Sequence, residues 1–181
     1  GRGSVGAYAV RTPKELDFFS DYVPEAVVQA FLDGPEFTID MLCDFSGQPL
    51  SIVPRRRDVI RAGVTDRGRT ASDPGLIQVA RTCAAVLPFA GAVNIQCRLV
   101  DGQPVIFEIN PRFSGGIPLT IQAGADFPRM LVDLAAGVRV PASIGRFRDN
   151  LWMASYETSV FVDGSRVSLS EYHPSLIEDV A

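Results

Sequence analysis

Two runs of mixed polarity, AVNIQCRLV (92–100) and PVIFEIN (104–110), flank Asp101-Gly102 and lead directly into PRFSGG (111–116). Side chains of a strand alternate between its faces, so Asn94, Gln96 and Arg98 oppose Val93, Ile95, Cys97 and Leu99. In the second run Ile106, Glu108 and Asn110 share one face, and Val105, Phe107 and Ile109 the other. The turn between the runs decides whether the two polar faces meet. A two-residue loop at Asp101-Gly102 pairs Val100 with Gln103 and sets Gln96 opposite Phe107, on the wrong face from Glu108. A loop of odd length, 101–103 or 100–104, sets Gln96 opposite Glu108 and Asn94 opposite Asn110, and Pro104 favours the longer one because it has no N–H to give to a ladder. The expectation is therefore an odd loop with Gln96, Glu108 and Asn110 on one face. A carboxylate beside amide oxygens is a hard donor set suited to Mg²⁺, and the planar guanidinium of Arg112 suits phosphate. The plainer alternative is a half-exposed sheet whose polar face meets water.

Around this hairpin the chain alternates strand-like and helix-like segments, which predicts a mixed α+β fold. VGAYAVR (5–11) reads as a strand, and 12–22 as a helix with Thr12 as N-cap, Pro13 in the first turn and Glu15 three residues after the cap. EAVVQAFL (25–32) reads as a strand, as do 36–44 and 49–57, which turn at Ser46-Gly47. Residues 61–72 read as a polar connection. A helix follows over 74–87, with Leu76, Val79, Ala80, Cys83 and Val86 on one face. Residues 114–137 give one or two helices ending at Gly137, and a last hairpin is expected around Asp163-Gly164.

Charge and cysteine content exclude several functions. A formal charge of -4 and a pI near 5.0 offer no field for a phosphate polymer or an anionic bilayer. No apolar run reaches the roughly 20 residues of a membrane helix. The expected partners are thus neither nucleic acid nor membrane. Cys43, Cys83 and Cys97 are odd in number and widely spaced, which suits core residues of a cytoplasmic protein.

FEINPRFSGG, with GAVNIQCRL before it and VVQAFLDGPEFTIDML further upstream, resembles the ATP-grasp superfamily, and within it the ATP-binding synthetase domains of the carbamoyl-phosphate synthase large chain and related carboxylate-amine ligases. The likeness runs over about residues 1–140. It implies an α+β fold in which ATP lies between two lobes with two Mg²⁺ ions on its phosphates, Mn²⁺ being a substitute. Gln96, Glu108 and Asn110 match the metal ligands, Glu108 bridging both ions, and Arg112 matches the arginine that stabilises acyl-phosphate chemistry. The backbone of Gln29 and Phe31 matches the adenine-reading segment, and Glu36 the carboxylate on the ribose hydroxyls; from the residues alone, Glu36 reads as an edge-strand carboxylate in water. GRGSVG (1–6), including Gly3, Ser4 and Gly6, matches the glycine-rich loop over the phosphates. A short Gly-Ser run also suits an appended leader, and the continuation into AYAVRTPKEL favours the loop.

The resemblance divides the chain into the end of a first lobe (1–32), a second lobe with the metal site (33–140) and a C-terminal extension (141–181). It implies an ATP-dependent ligase that activates a carboxylate or bicarbonate for attack by an amine. The alternative is a non-catalytic nucleotide-binding or interaction module. In such enzymes further N-terminal sequence precedes the position of Gly1, so the expected partners are small carboxylate and amine substrates with that N-terminal portion or a second copy, and the chain alone is expected to turn over ATP poorly. Thr65 stands where the large synthetase chain has histidine, and Gly115-Gly116 where it has bulkier residues. Arg55, Arg56, Arg57 and Arg61 face either an anion or solvent. His173, the single histidine, reads as structural or exposed.

Overall fold

The structure, a computed structural model, describes residues 6–61 and 63–156, with Ser159 and Phe161. The expected hairpin at Asp163-Gly164, His173, Gly3 and Ser4 lie outside the described residues.

Among the described residues six strands form one antiparallel sheet: β1 (Glu36–Cys43), β2 (Pro49–Arg61), β3 (Val64–Thr70), β4 (Gly91–Val100), β5 (Gln103–Asn110) and β6 (Trp152–Ala154), in the spatial order β5-β4-β1-β2-β3-β6. Among the described residues four helices accompany it: α1 (Pro13–Tyr22), α2 (Pro74–Val86), α3 (Ile117–Gln122) and α4 (Phe127–Ala135). Because β1 is central, it is buried on both faces. Phe37, Ile39, Met41 and Cys43 pack with Ile52, Val93, Ile95 and Cys97 under Leu76, Ala80 and Cys83 of α2. Asp73 caps that helix by accepting from the N–H groups of Gly75 and Leu76. Val86, expected on its buried face, is instead exposed at the last turn.

The opposite face is divided along its length. At one end Leu42 and Val53 pack with Ala125 and Phe127 beneath α3 and α4. Gly137 ends α4 in the left-handed region (φ 75°), with Gly137 N–H donating to Leu134 O and Val138 N–H to Asp133 O. At the other end the face turns polar through Asp40, Thr38 and Glu36, whose cross-strand partners on β4 are Asn94, Gln96 and Arg98.

Three expectations fail here. Neither 7–11 nor 25–32 joins a ladder; Val27, Val28 and Phe31 stand 81%, 63% and 75% exposed, so the apolar pattern that suggests a strand finds no partner among the described residues. Residues 61–72 contain β3, which the polar sequence VTDRGRT conceals because it is held by backbone pairing to β2 and by β6 at the edge, with Arg69 4.9 Å over the Trp152 ring. The capping box on α1 forms as expected, with Thr12 accepting from Glu15 N–H and Glu15 accepting from Thr12 N–H, yet α1 buries no residue and its aromatics pack on Tyr8 and one another.

The third correction is the hairpin. Val100 pairs with Gln103 across a two-residue turn, with Asp101 and Gly102 both left-handed (φ 50° and 76°), the geometry of a type I′ turn. The odd loop is therefore absent. A bulge does its work: Cys97 pairs with Ile106 and Gln96 with Glu108, leaving Phe107 as the extra residue. The strand changes phase there. Ile106 and Ile109 both pack on the core, so Ile106 does not share the face of Glu108, and Val105 is exposed rather than packed.

All three cysteines are buried and free, as expected of core residues. Burial pushes the Cys43 thiol up to about 11 and Cys97 to about 12, from an ordinary 9.0. A thiol raised in the folded state stabilises it fully below the unfolded pKa. That contribution is lost as pH climbs from 9.0 through 11 to 12. Unfolding midpoints in urea are expected to fall across this alkaline window, and less steeply in Cys97→Ala.

Candidate functional site

The bulge places Gln96 directly opposite Glu108 and Asn94 opposite Asn110. Side chains so opposed have Cβ atoms about 4.5–5.5 Å apart. Asn110 Nδ2 donates to Glu108 Oε1 at 2.7 Å, and Gln96 Nε2 to Asn94 Oδ1 at 3.4 Å. Glu108 is exposed on the edge strand β5, and Gln96 is half-buried.

Beside this cluster, alternation along β2 sends Arg55 and Arg57 inward and Arg56 outward, where it pairs with Asp58. Arg55 is fully buried. Its Nε donates to Asp40 Oδ2 at 2.7 Å and its Nη2 to Asp40 Oδ1 at 3.2 Å and Ser114 Oγ at 2.7 Å, while Thr120 Oγ1 and Asn94 Nδ2 also donate to Asp40. This network ties β1 and β2 to the loop that carries Arg112. Nη1 of Arg55 is buried with no partner, and a Cβ at residue 116 would overlap it.

Arg57 is held at every nitrogen. Nε donates to Thr65 Oγ1 at 3.2 Å, Nη2 to Gly63 O at 2.6 Å, and Nη1 to Glu36 Oε1 at 2.6 Å and Gln96 Oε1 at 3.1 Å. Burial pulls its guanidinium below the ordinary arginine range; the Glu36 carboxylate opposes that pull, Arg55 adds to it, and Glu108 opposes it again. Glu36 is not an edge-strand carboxylate in water: it sits on the central strand, with Arg98 Nη2 on its other oxygen at 2.8 Å. Arg98 also donates to Leu32 O at 3.2 Å, which brings the end of the segment containing Gln29 and Phe31 to this edge of the site. Gln29 and Phe31 themselves are exposed, and Gly6 lies in an exposed turn.

Between these groups lies a pocket of about 60 Å³ lined by Thr38, Arg55, Arg57, Asn94, Gln96 and Arg112, with Ser114 to Gly116 on one wall. Its lining has three arginines and, among the described residues, no carboxylate. Arg55 and Arg57 are neutralised by Asp40 and Glu36 behind the lining, so Arg112 is the lining cation that remains to meet a small oxyanion. Sequence reasoning missed Asp40, Arg55, Ser114 and Thr120 as one unit, although an aspartate inside the apolar run FTIDML was a sign that a buried cation faces it. Arg61, read with the arginine run, pairs with Asp66 at 3.4 Å.

Gly116→Ala is expected to cost about 1–3 kcal/mol, the range for overpacking, because Arg55 is pinned by Asp40 and Ser114 and has nowhere to move. Thermal unfolding measures it; Ser114→Ala, which removes one anchor while Asp40 still holds Nε and Nη2, is expected to reduce the penalty only in part.

Residues 22–158 match the model of a family described as ATP-grasp in the biosynthetic pathway with Ter operon. An uncharacterized protein of Sinorhizobium fredii is 27% identical over 173 residues, covering 80% of this chain and 32% of its own length. The carbamoyl phosphate synthase large chain of Thermomicrobium roseum is 28% identical over 138 residues, covering 70% of this chain and 12% of its own. The chain thus spans a third or less of these relatives. Among solved structures, biotin carboxylase of Campylobacter jejuni in complex with β-γ-ATP superposes with a TM-score of 0.55 at 15% identity, covering 67% of this chain and 29% of that one. The biotin carboxylase domain of Hydrogenobacter thermophilus 2-oxoglutarate carboxylase, with MgADP, ADP and bicarbonate, gives 0.50 at 17%, covering 67% and 29%. At these identities the structural likeness speaks for the fold.

Proposed function

Because the chain belongs to this ATP-grasp family, we propose that it carries the metal and phosphate side of an ATP-dependent ligase that activates a carboxylate or bicarbonate as an acyl phosphate for attack by an amine. The observation that supports this is the meeting of Glu108, Asn110 and Gln96 with a pocket lined by Arg55, Arg57 and Arg112. The lobe is residues 33–140, with 1–32 contributing the adenine side and 141–181 an extension whose β6 closes the sheet.

The donor chemistry fits Mg²⁺. Glu108 is exposed and engaged by Asn110, so a cation on its carboxylate would be joined by the amide oxygen once that amide turns. A bound Mg²⁺ supplies charge neutralisation on phosphate oxygens. Everything else falls to the chain: Arg112 faces the same pocket and offsets charge on the transferring phosphoryl group, and the small oxyanion pocket orients the acceptor beside it. Glu36, beside Arg98 and Leu32, lies where the adenine-side segment meets the sheet, which supports its role at the ribose.

Phosphate release from ATP across a panel of carboxylates, bicarbonate and amines, measured on this lobe joined to a complete first ATP-grasp lobe, tests this reading. Release that needs both a carboxylate and Mg²⁺ is the expected result. ATP binding with no release under any pairing would make the chain a nucleotide-binding module instead.

A further inference from the structure

Arg57 is the one cation of the site built into the seat of a metal ligand. Its Nη1 sits 3.1 Å from Gln96 Oε1 and 2.6 Å from Glu36 Oε1, so it stands on the Gln96 side of the Gln96–Glu108 pair. Contacts to Thr65 and Gly63 hold the other nitrogens, so it does not rest there by chance of a free rotamer. Glu36 is taken by Arg57 and Arg98. That leaves Glu108 as the carboxylate available to a divalent ion, and no group of three or more His, Cys, Asp or Glu side chains suited to a metal gathers among the described residues. A small hard cation needs several oxygens in near-octahedral array, with carboxylate to balance its charge. One ion on Glu108 and Asn110 would meet that requirement once the Asn110 amide turns and water and phosphate oxygens complete its shell. A second, on Gln96, would compete for an oxygen already engaged and would lie against a fixed guanidinium.

We propose that Arg57 replaces one of the two metal ions, so that the site works with a single divalent cation held by Glu108 and Asn110, and Gln96 serves as an acceptor for Arg57 instead of a metal ligand. A guanidinium is always charged and presents its donors in a rigid fork, which suits it to act as a permanent cation beside phosphate. This inference rests on reading the site as one for a nucleotide with a divalent ion.

Mn²⁺ binding, counted by the loss of the free-ion paramagnetic resonance signal, tests it with Mn²⁺ alone and with Mn²⁺ plus ATP. The wild-type chain is expected to hold one ion per bound ATP, and Arg57→Met to admit a second. With Mn²⁺ alone, Glu108→Gln is expected to weaken binding at least about tenfold, the scale for disturbing a metal site, while Gln96→Ala leaves it unchanged. Two ions per ATP in the wild type, or a loss in Gln96→Ala equal to that in Glu108→Gln, overturns the proposal. If ATP fails to bind, the functional reading falls, and the proposal still stands or falls on whether Gln96→Ala weakens Mn²⁺ binding as Glu108→Gln does. Failure to bind Mn²⁺ both with and without ATP overturns both.

Discussion

Glu108→Gln, in a protein that carries both ATP-grasp lobes, is expected to lower carboxylate-dependent phosphate release by at least about two orders of magnitude, the scale on which loss of one preorganised electrostatic group acts. The substitution keeps shape and the hydrogen bond with Asn110, and among the described residues of the site it removes the carboxylate not already committed to an arginine. Because Glu108 is exposed on the edge strand, the fold has little reason to suffer, and the unfolding midpoint is expected to stay near that of the wild type. Raising Mg²⁺ should not restore the rate. Near wild-type release by this variant would remove Glu108 from the role assigned to it.

The largest effect on stability is expected at Arg55. Arg55→Ala leaves Asp40, itself 1% exposed, without its cation, and breaking a buried pair in this way costs about 3–5 kcal/mol. It also opens a void in the sheet face and unties Ser114, so the loop bearing Arg112 loses its anchor. Arg55→Lys is expected to recover only part of the loss, since an ammonium cannot span both Asp40 oxygens and the Ser114 hydroxyl. Urea unfolding gives the measurement. A cost for Arg55→Ala no larger than that of a surface arginine such as Arg56→Ala would show that the network contributes little.

These two residues mark what the sequence did and did not disclose. Glu108 stood out because the polar faces carry Asn, Gln, Glu and Asn leading to Arg in place of the Lys, Ser and Thr usual on a solvent face, and the resemblance supplied the roles proposed for them. Its pairing with Gln96 was expected correctly from the wrong turn. Asp101-Gly102 makes the two-residue loop that this dipeptide favours, and the phase is restored by a bulge at Phe107. Val105, Ile106 and Phe107 are all apolar, so no change of polarity marks the extra residue. Arg55 and Arg57 were ambiguous because a run of three arginines has no phase until a partner strand supplies one; Thr38 opposite Arg55 does so in the fold. β3 was invisible for a related reason, being a strand held by backbone bonds and flanking ion pairs with few apolar side chains. The segment 25–32 shows the opposite error, an apolar pattern with nothing among the described residues to pair with.

Calorimetric titration of the chain with ATP, with and without Mg²⁺, in the wild type and in Glu108→Gln tests the central claim most directly. The account predicts heat of binding that depends on Mg²⁺ in the wild type and loses that dependence in the variant. Absence of ATP binding to the wild type, or binding indifferent both to Mg²⁺ and to residue 108, would contradict it.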